Sequence, residues 1–250
     1  MSFKLYEVGG CVRDRILGVD SKDIDFVFVL DDIENKTVEQ GWKEMKDYLM
    51  KEKFEIFLET ESCFTIRARF PKDHKHKGLV ADFVMARKEI GYDRGISRAP
   101  KVVLGTLHDD LLRRDFTFNA MAVAEDGTLI DPFGGKNDLL LRILKTPRDT
   151  RETMLDDPLR LIRAIRFAIT KECQLSDELE EFIEDCLYDD EFLNSMDLVS
   201  DERIKDELNK CFKFSTIETL AFIDKVFGLQ HGLIKDIFKR DLHIKLTNEK

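Results

Sequence analysis

The sequence predicts an α+β protein: a head with a small mixed sheet flanked by helices over residues 1–140, then an all-helical neck and body over residues 141–250. Two observations carry this. Up to about residue 135, short β-rich runs alternate with a helical one, whereas beyond residue 150 the apolar residues recur only at helical spacing. Between these regions DPFGGKNDL (131–139) is turn chemistry, with a proline and a Gly-Gly pair, and marks the boundary.

Taken in order, residues 5–8 form a short apolar lead-in, and Val12–Leu17 reads as one or two helical turns ended by Gly18. Ile24–Leu30 is a β-rich run. Thr37–Lys53 has helical spacing, with Val38, Trp42, Met45 and Leu49 on one stripe. Strands are expected around Phe64–Phe70 and Leu79–Ala86, joined by the charged hairpin PKDHKHKG. GYDRGISRAP (91–100) reads as a loop, and Thr117–Val123 resumes apolar patterning. In the second region helices are expected around 153–171, 176–187, 201–213, 216–228 and 231–240.

Composition narrows the function classes. With 250 residues, 43% hydrophobic and 36% charged, the chain can bury a proper core. No apolar run approaches the ~20 residues of a membrane span, and MSFKLYEVGG contains no apolar signal core. The five cysteines are scattered without a C-x-x-C pair, which points to a reducing cytoplasm and away from disulfides or a zinc site. A net charge of −10 repels nucleic acid overall, so a polyanionic partner must meet a local basic patch. Residues 67–114 supply Arg, Lys and His, while the acidity concentrates after residue 150.

Three segments carry chemistry. In GGCVRDRILGVDSKDIDF (9–26), Asp23 and Asp25 stand two apart at the mouth of a strand, so both carboxylates share one face. That suits Mg²⁺, which is held by one or two carboxylates together with substrate phosphates; acidic residues at strand ends are also common without a metal. Asp82 in VADFVMA could complete a two-metal clamp or be a polar edge-strand residue. Gly9 and Gly10 let backbone amides approach a phosphate at the start of a helix, or form an ordinary strand-to-helix turn. Arg13 is placed to meet phosphate, with Asp14 as a structural partner of a neighbouring arginine.

In DDLLRRDFTFNAMAV (109–123), the charged Arg113, Arg114 and Asp115 interrupt an apolar segment, and Asn119 follows four residues after Asp115. Such a set can bind phosphate and ribose hydroxyls. In LDDPLRLIRAIRFA (155–168), Arg160 and Arg163 share a helix face, and Arg166 points toward the apolar stripe. Asp157 with Arg160 can offer an acceptor and a donor fork to a base edge, while Asp157 before Pro158 also reads as a helix N-cap.

These segments, with ADFVMARKE (81–89), DPFGG (131–135) and SDERIKDEL (200–208), resemble the class II tRNA nucleotidyltransferases (CCA-adding enzymes) and bacterial poly(A) polymerases of the polymerase-beta-like nucleotidyltransferase superfamily. The motifs occur in family order over nearly the whole chain. The resemblance implies that Asp23 and Asp25 bind two Mg²⁺ ions, with Asp82 a further catalytic carboxylate. It implies triphosphate contacts from Gly9, Gly10 and Arg13, and ribose recognition by Arg114, Asp115 and Asn119. Asp156, Asp157 and Arg160 match the acidic-acidic-x-x-Arg signature that pairs with the base of CTP or ATP, with Arg163 and Arg166 near the phosphates. Where this chain has Asp156 the family usually has Glu.

The implied activity is addition of CMP and AMP to the 3′ end of tRNA, with pyrophosphate leaving. Alternatives are partial CCA addition, polyadenylation of another RNA, or a non-catalytic nucleotide- and RNA-binding homologue. Family members usually continue through further helices to a tail that grips tRNA, so the resemblance is to a short form whose grip would be reduced, altered or dependent on a homodimer. The basic stretches Lys72–Lys77 and Arg94–Lys101 are candidate RNA contacts, the first being equally a solvated loop.

Overall fold

The computed structural model describes residues 3–21, 23–74, 76–92 and 100–227. The helix expected over 231–240 and most of the loop expected over 91–100, including Arg94, lie outside the described residues. The chain divides into two compact units, one built from residues up to Ile90 with Lys101–Asn137, the other from Asp138 onward with Gly91–Pro100.

The first unit contains β1 (Phe3–Val8), α1 (Gly10–Ile16), β2 (Ile24–Leu30), α2 (Val38–Lys51), β3 (Glu55–Thr60), β4 (Thr65–Arg69) and β5 (Val80–Met85). After these come β6 (Arg87–Tyr92), β7 (Pro100–Leu104), α3 (Leu107–Leu112), β8 (Ala122–Ala124) and β9 (Leu129–Ile130). A seven-stranded sheet runs in the order β3-β4-β5-β2-β1-β8-β9, and β6 pairs with β7 separately. Within the seven strands β2 and β5 are parallel, and the other neighbours are antiparallel.

The period of two along IDFVFVL sends Ile24, Phe26, Phe28 and Leu30 to one face and Asp25, Val27 and Val29 to the other. On the first face Phe26 stacks on Phe83 with ring centroids 5.1 Å apart, and α2 presents Met45 and Leu49, both fully buried. A Thr37–Gln40 capping box starts α2 by satisfying orphan amides of its first turn. Gly41 lets the helix lie close, since a Cβ there would stand 2.7 Å from Leu30 Cδ1. On the second face Val8, Val27, Ala86, Leu111, Ala120 and Ala122 form a compact cluster. With apolar cover on both faces, β2 reads as a near-continuous apolar run interrupted by Asp25 alone.

Strands β3, β6 and β7 and helix α3 are not expected from periodicity. β3 is an edge strand with a register shift between Ile56 and Leu58, so its apolar residues do not alternate. α3 is six residues long and polar at its start, where Thr106 and Asp109 form a capping box.

The second unit follows α4 (Gly135–Leu140) and consists of β10 (Ile143–Leu144), α5 (Thr150–Asp156), α6 (Leu159–Thr170), β11 (Gln174–Leu175), α7 (Asp177–Asp185), α8 (Asp190–Met196), α9 (Asp201–Phe214) and α10 (Thr216–Phe227). Among the described residues from Asp138 onward the strands are β10 and β11, which pair in parallel through two residues each. The helix expected over 153–171 is two helices. Asp157 takes an extended backbone (φ −146°, ψ 97°), as the residue before a proline prefers, and this ends α5. α6 buries Leu161, Ile162, Ala164, Ile165 and Ile169, and α9 buries Ile204, Leu208 and Cys211. No described helix is long and apolar enough to cross a membrane.

Candidate active site

In the first unit, strand register aligns charged residues across the sheet. Asp25 on β2 faces Asp82 on β5, and Asp82 in turn faces Arg67 on β4. Arg67 donates two hydrogen bonds to Asp82, Nε to Oδ1 and Nη2 to Oδ2, each 2.6 Å. Asp23 precedes β2 and is exposed. Burial raises the pKa of Asp25; Arg114 opposes this, and the charges of Asp82 and Asp23 raise it further. An ionised Asp25 is thus held at a cost that a bound cation would relieve.

On the other side of Asp25 lies Gly9, which follows β1 with φ +74°, a conformation that suits glycine. A Cβ at this position would stand 2.8 Å from Arg114 Nη1 and 3.7 Å from Asp25 Oδ2. Gly9 therefore lets a guanidinium cross the turn beside the carboxylate. Gly10 opens α1, and Arg13 one turn later is buried. Arg13 Nε donates to Asp14 Oδ1 (2.9 Å), the structural pairing expected of Asp14, and Nη1 donates to Asn119 Oδ1 (2.7 Å). Asn119 Nδ2 donates to Asp115 Oδ1 (3.0 Å), which also accepts from the Phe116 amide (2.8 Å). Two distant segments are thereby joined into one polar network.

Asp110, fully buried, anchors the arginine pair and is missed by the sequence reading. Arg113 Nε donates to its Oδ1 (3.0 Å) and Arg114 Nη2 to its Oδ2 (3.0 Å). Burial alone would raise the pKa of Asp110, but Arg113 and Arg114 overcome that and hold it below the usual carboxylate range. The available signal is spacing, since Asp110 precedes the arginines by three and four residues on α3. Arg114 Nε is buried without a hydrogen-bond partner, a donor left over for an anion.

In the second unit the base-reading candidates are each held by a different group. Asp156, buried, pairs with Arg148. Asp157 Oδ2 and Oδ1 accept from Arg203 Nη2 (2.8 Å) and Nη1 (3.3 Å). Arg160 Nη1 donates to the Thr153 carbonyl (2.9 Å) across the α5–α6 break. Arg166 ion-pairs with the buried Glu207 and lies 4.0 Å over the Phe167 ring, while Arg163 Nη1 is 3.7 Å from Glu207 Oε1. The charge near the apolar stripe is therefore paired. Burial would raise Glu207, yet Lys210 and Arg166 hold its pKa down. Arg148, Arg203 and Glu207 are supports that short-range patterns do not reveal.

The donors at the first site are all oxygens, which fits a hard cation. Among the described residues no three His, Cys, Asp or Glu side chains are grouped to hold a metal ion, so further ligands must come from elsewhere, as substrate phosphates do for Mg²⁺.

The chain is 40% identical over 170 residues to the Multifunctional CCA protein of Janthinobacterium sp. (strain Marseille), covering 66% of this chain and 34% of that protein. Among solved structures it is similar to the Bacillus stearothermophilus CCA-adding enzyme in complex with CTP, with a TM-score of 0.67 and 26% identity over 92% of this chain and 50% of that one. A tRNA nucleotidyltransferase complexed with a primer tRNA and an incoming ATP analog gives a TM-score of 0.65 and 27% identity, over 95% of this chain and 60% of that one. The chain thus spans about a third of the length of that curated relative. Residues 5–145, more than half of the chain, match the family described as the Poly A polymerase head domain, and the chain belongs to that family.

Proposed function

We propose that the protein is a template-independent RNA nucleotidyltransferase that adds CMP and AMP, from CTP and ATP, to the 3′ end of tRNA. The observation that carries this reading is the Asp25–Asp82 row lying beside the Gly9–Arg114 crossing, which joins a cation site to an anion site. The relatives' names supply the substrate class.

In this reading residues 1–140 are the catalytic head and residues 141–250 recognise base and RNA. Asp23 and Asp25 hold Mg²⁺, with Asp82 at the next strand. Two bound Mg²⁺ ions would stabilise charge on the attacking and leaving oxygens. Gly9 and Gly10 let the triphosphate approach the backbone, and Arg13 and Arg114 meet its charge. Asp115 and Asn119 orient the ribose. Asp157 and Arg160, with Asp156, present acceptor and donor to the base edge, while Arg163 and Arg166 add positive charge for the phosphates. The RNA 3′-oxygen bonds to the α-phosphorus as the bond to pyrophosphate breaks. The reaction belongs in the cytoplasm, where its substrates are and where the five free cysteines stay reduced. A homodimer would extend the surface that grips RNA.

The test uses tRNA transcripts ending before CCA, after C and after CC, each incubated with Mg²⁺ and each labelled NTP. Sequential C, C and A incorporation supports the reading. A tails of indefinite length replace it with a poly(A) polymerase, and nucleotide binding without incorporation on any RNA replaces it with a binding module.

A further inference from the structure

We infer that Arg67 is a positioning residue that withholds Asp82 from the metal site and makes divalent-cation binding depend on the nucleotide. This rests on the nucleotidyltransferase reading and concerns its metal site. The strands place Arg67, Asp82 and Asp25 in one row, with Asp82 between the other two. Adjacent strands lie about 4.8 Å apart, so a cation shared by Asp25 and Asp82 would sit within reach of the guanidinium charge. Arg67 meets Asp82 as a fork, with two bonds of 2.6 Å to its two oxygens. That geometry occupies the edge with which a carboxylate chelates a metal.

Asp82 is half-buried, its side chain 25% exposed, whereas Arg67 is 47% exposed. The arginine is therefore not needed to fill space, and solvent can replace it. With Asp82 engaged, Asp23 and Asp25 are left as the carboxylates at the strand mouth, in keeping with the absence of a three-residue metal group among the described residues. A small hard cation then lacks ligands until a triphosphate brings oxygens with it. Metal and nucleotide bind as a pair, and by linkage each strengthens the other equally. In the absence of nucleotide, the site stays weak toward cations that prefer several carboxylates, such as Ca²⁺ and Mn²⁺.

The experiment is Mn²⁺ and Mg²⁺ titration by calorimetry, with Mn²⁺ also followed by electron paramagnetic resonance. It compares the full chain with Arg67→Gln, Arg67→Lys, Asp82→Asn and the Arg67→Gln/Asp82→Asn double variant, with and without a non-hydrolysable CTP analogue. Circular dichroism checks that each variant is folded. Arg67→Gln should bind Mn²⁺ without nucleotide at least about fivefold more tightly. It should also lose a matching part of the metal–nucleotide coupling. Arg67→Lys, a compact charge without the fork, should fall between. The gain should vanish when Arg67→Gln is made on the Asp82→Asn background. Unchanged or weaker Mn²⁺ binding in Arg67→Gln, or a gain that persists without Asp82, overturns the inference. If the unmodified chain binds metal with the analogue and Arg67→Gln matches it both with and without the analogue, the inference alone fails. If neither protein binds metal under any condition, the nucleotidyltransferase reading fails with it.

Discussion

The Arg13 guanidinium donates a 2.7 Å hydrogen bond to the Asn119 side-chain oxygen, across 106 residues of sequence. Asn119 passes the connection to Asp115, and Arg13 is braced on its other side by Asp14. Asn119→Ala removes the acceptor for Arg13 and a donor for Asp115. Urea unfolding should register a loss of about 1–3 kcal/mol, and affinity for a CTP analogue should fall. A double-mutant cycle with Arg13→Ala should leave a coupling of about 0.5–3 kcal/mol; strictly additive losses would mean that the two residues act apart.

Asp110 carries a charge that two arginines neutralise inside the protein. Asp110→Asn removes the buried charge that Arg113 and Arg114 share and should cost about 3–5 kcal/mol. Because its folded pKa is depressed, the stabilisation is present above the unfolded value of about 3.9 and is lost as pH falls through the folded one. The gap between the two proteins in urea unfolding should therefore be full at pH 7 and shrink below about pH 4. A gap that is constant with pH would place the cost in packing instead of charge.

Asp25 has the opposite sign. Its pKa is raised by burial and by Asp82 and Asp23, so ionisation opposes folding, at a cost that grows as pH rises from the unfolded pKa to the raised folded one and is constant above it. Asp25→Asn should raise the melting temperature of the nucleotide-free protein at pH 7 while reducing transfer roughly a hundredfold or more. A variant less stable than its parent at pH 7 would contradict this account of the charge.

Arg160 spans the α5–α6 break by donating to the Thr153 carbonyl. Arg160→Ala should change the ratio of CTP to ATP incorporation more than it changes Mg²⁺ dependence. Competition assays with both nucleotides read the ratio directly, and unchanged selectivity would remove Arg160 from base recognition.

Much of this was legible where one periodicity governs a segment. IDFVFVL is a strand over its whole expected length because every second residue meets an apolar neighbour, and Thr37 starts α2 through a capping box. The edge strand β3 escaped because its bulge breaks alternation, and α3 escaped because its charges mask a short helix. Pro158 reads as the start of a helix, but its effect on Asp157 also ends the preceding one. The partners of the acidic pair could not be read at all. Arg203 lies 46 residues from Asp157, and no local spacing rule links them. Arg67 sits on a strand that the sequence predicts, but its pairing with Asp82 depends on the register of the neighbouring strand.

The order of strands also governs how the molecule can be synthesised. β1 emerges first but lies between β2 and β8, so its second edge stays open until residues 122–124 have been made. The parallel β2–β5 pairing must likewise wait for residues 80–85. A nascent chain stopped before Asn119 would expose an unpaired edge and lack one of the acceptors for Arg13, leaving it open to proteases and to chaperones. The head is thus a late-closing structure, completed only when its last strands leave the ribosome.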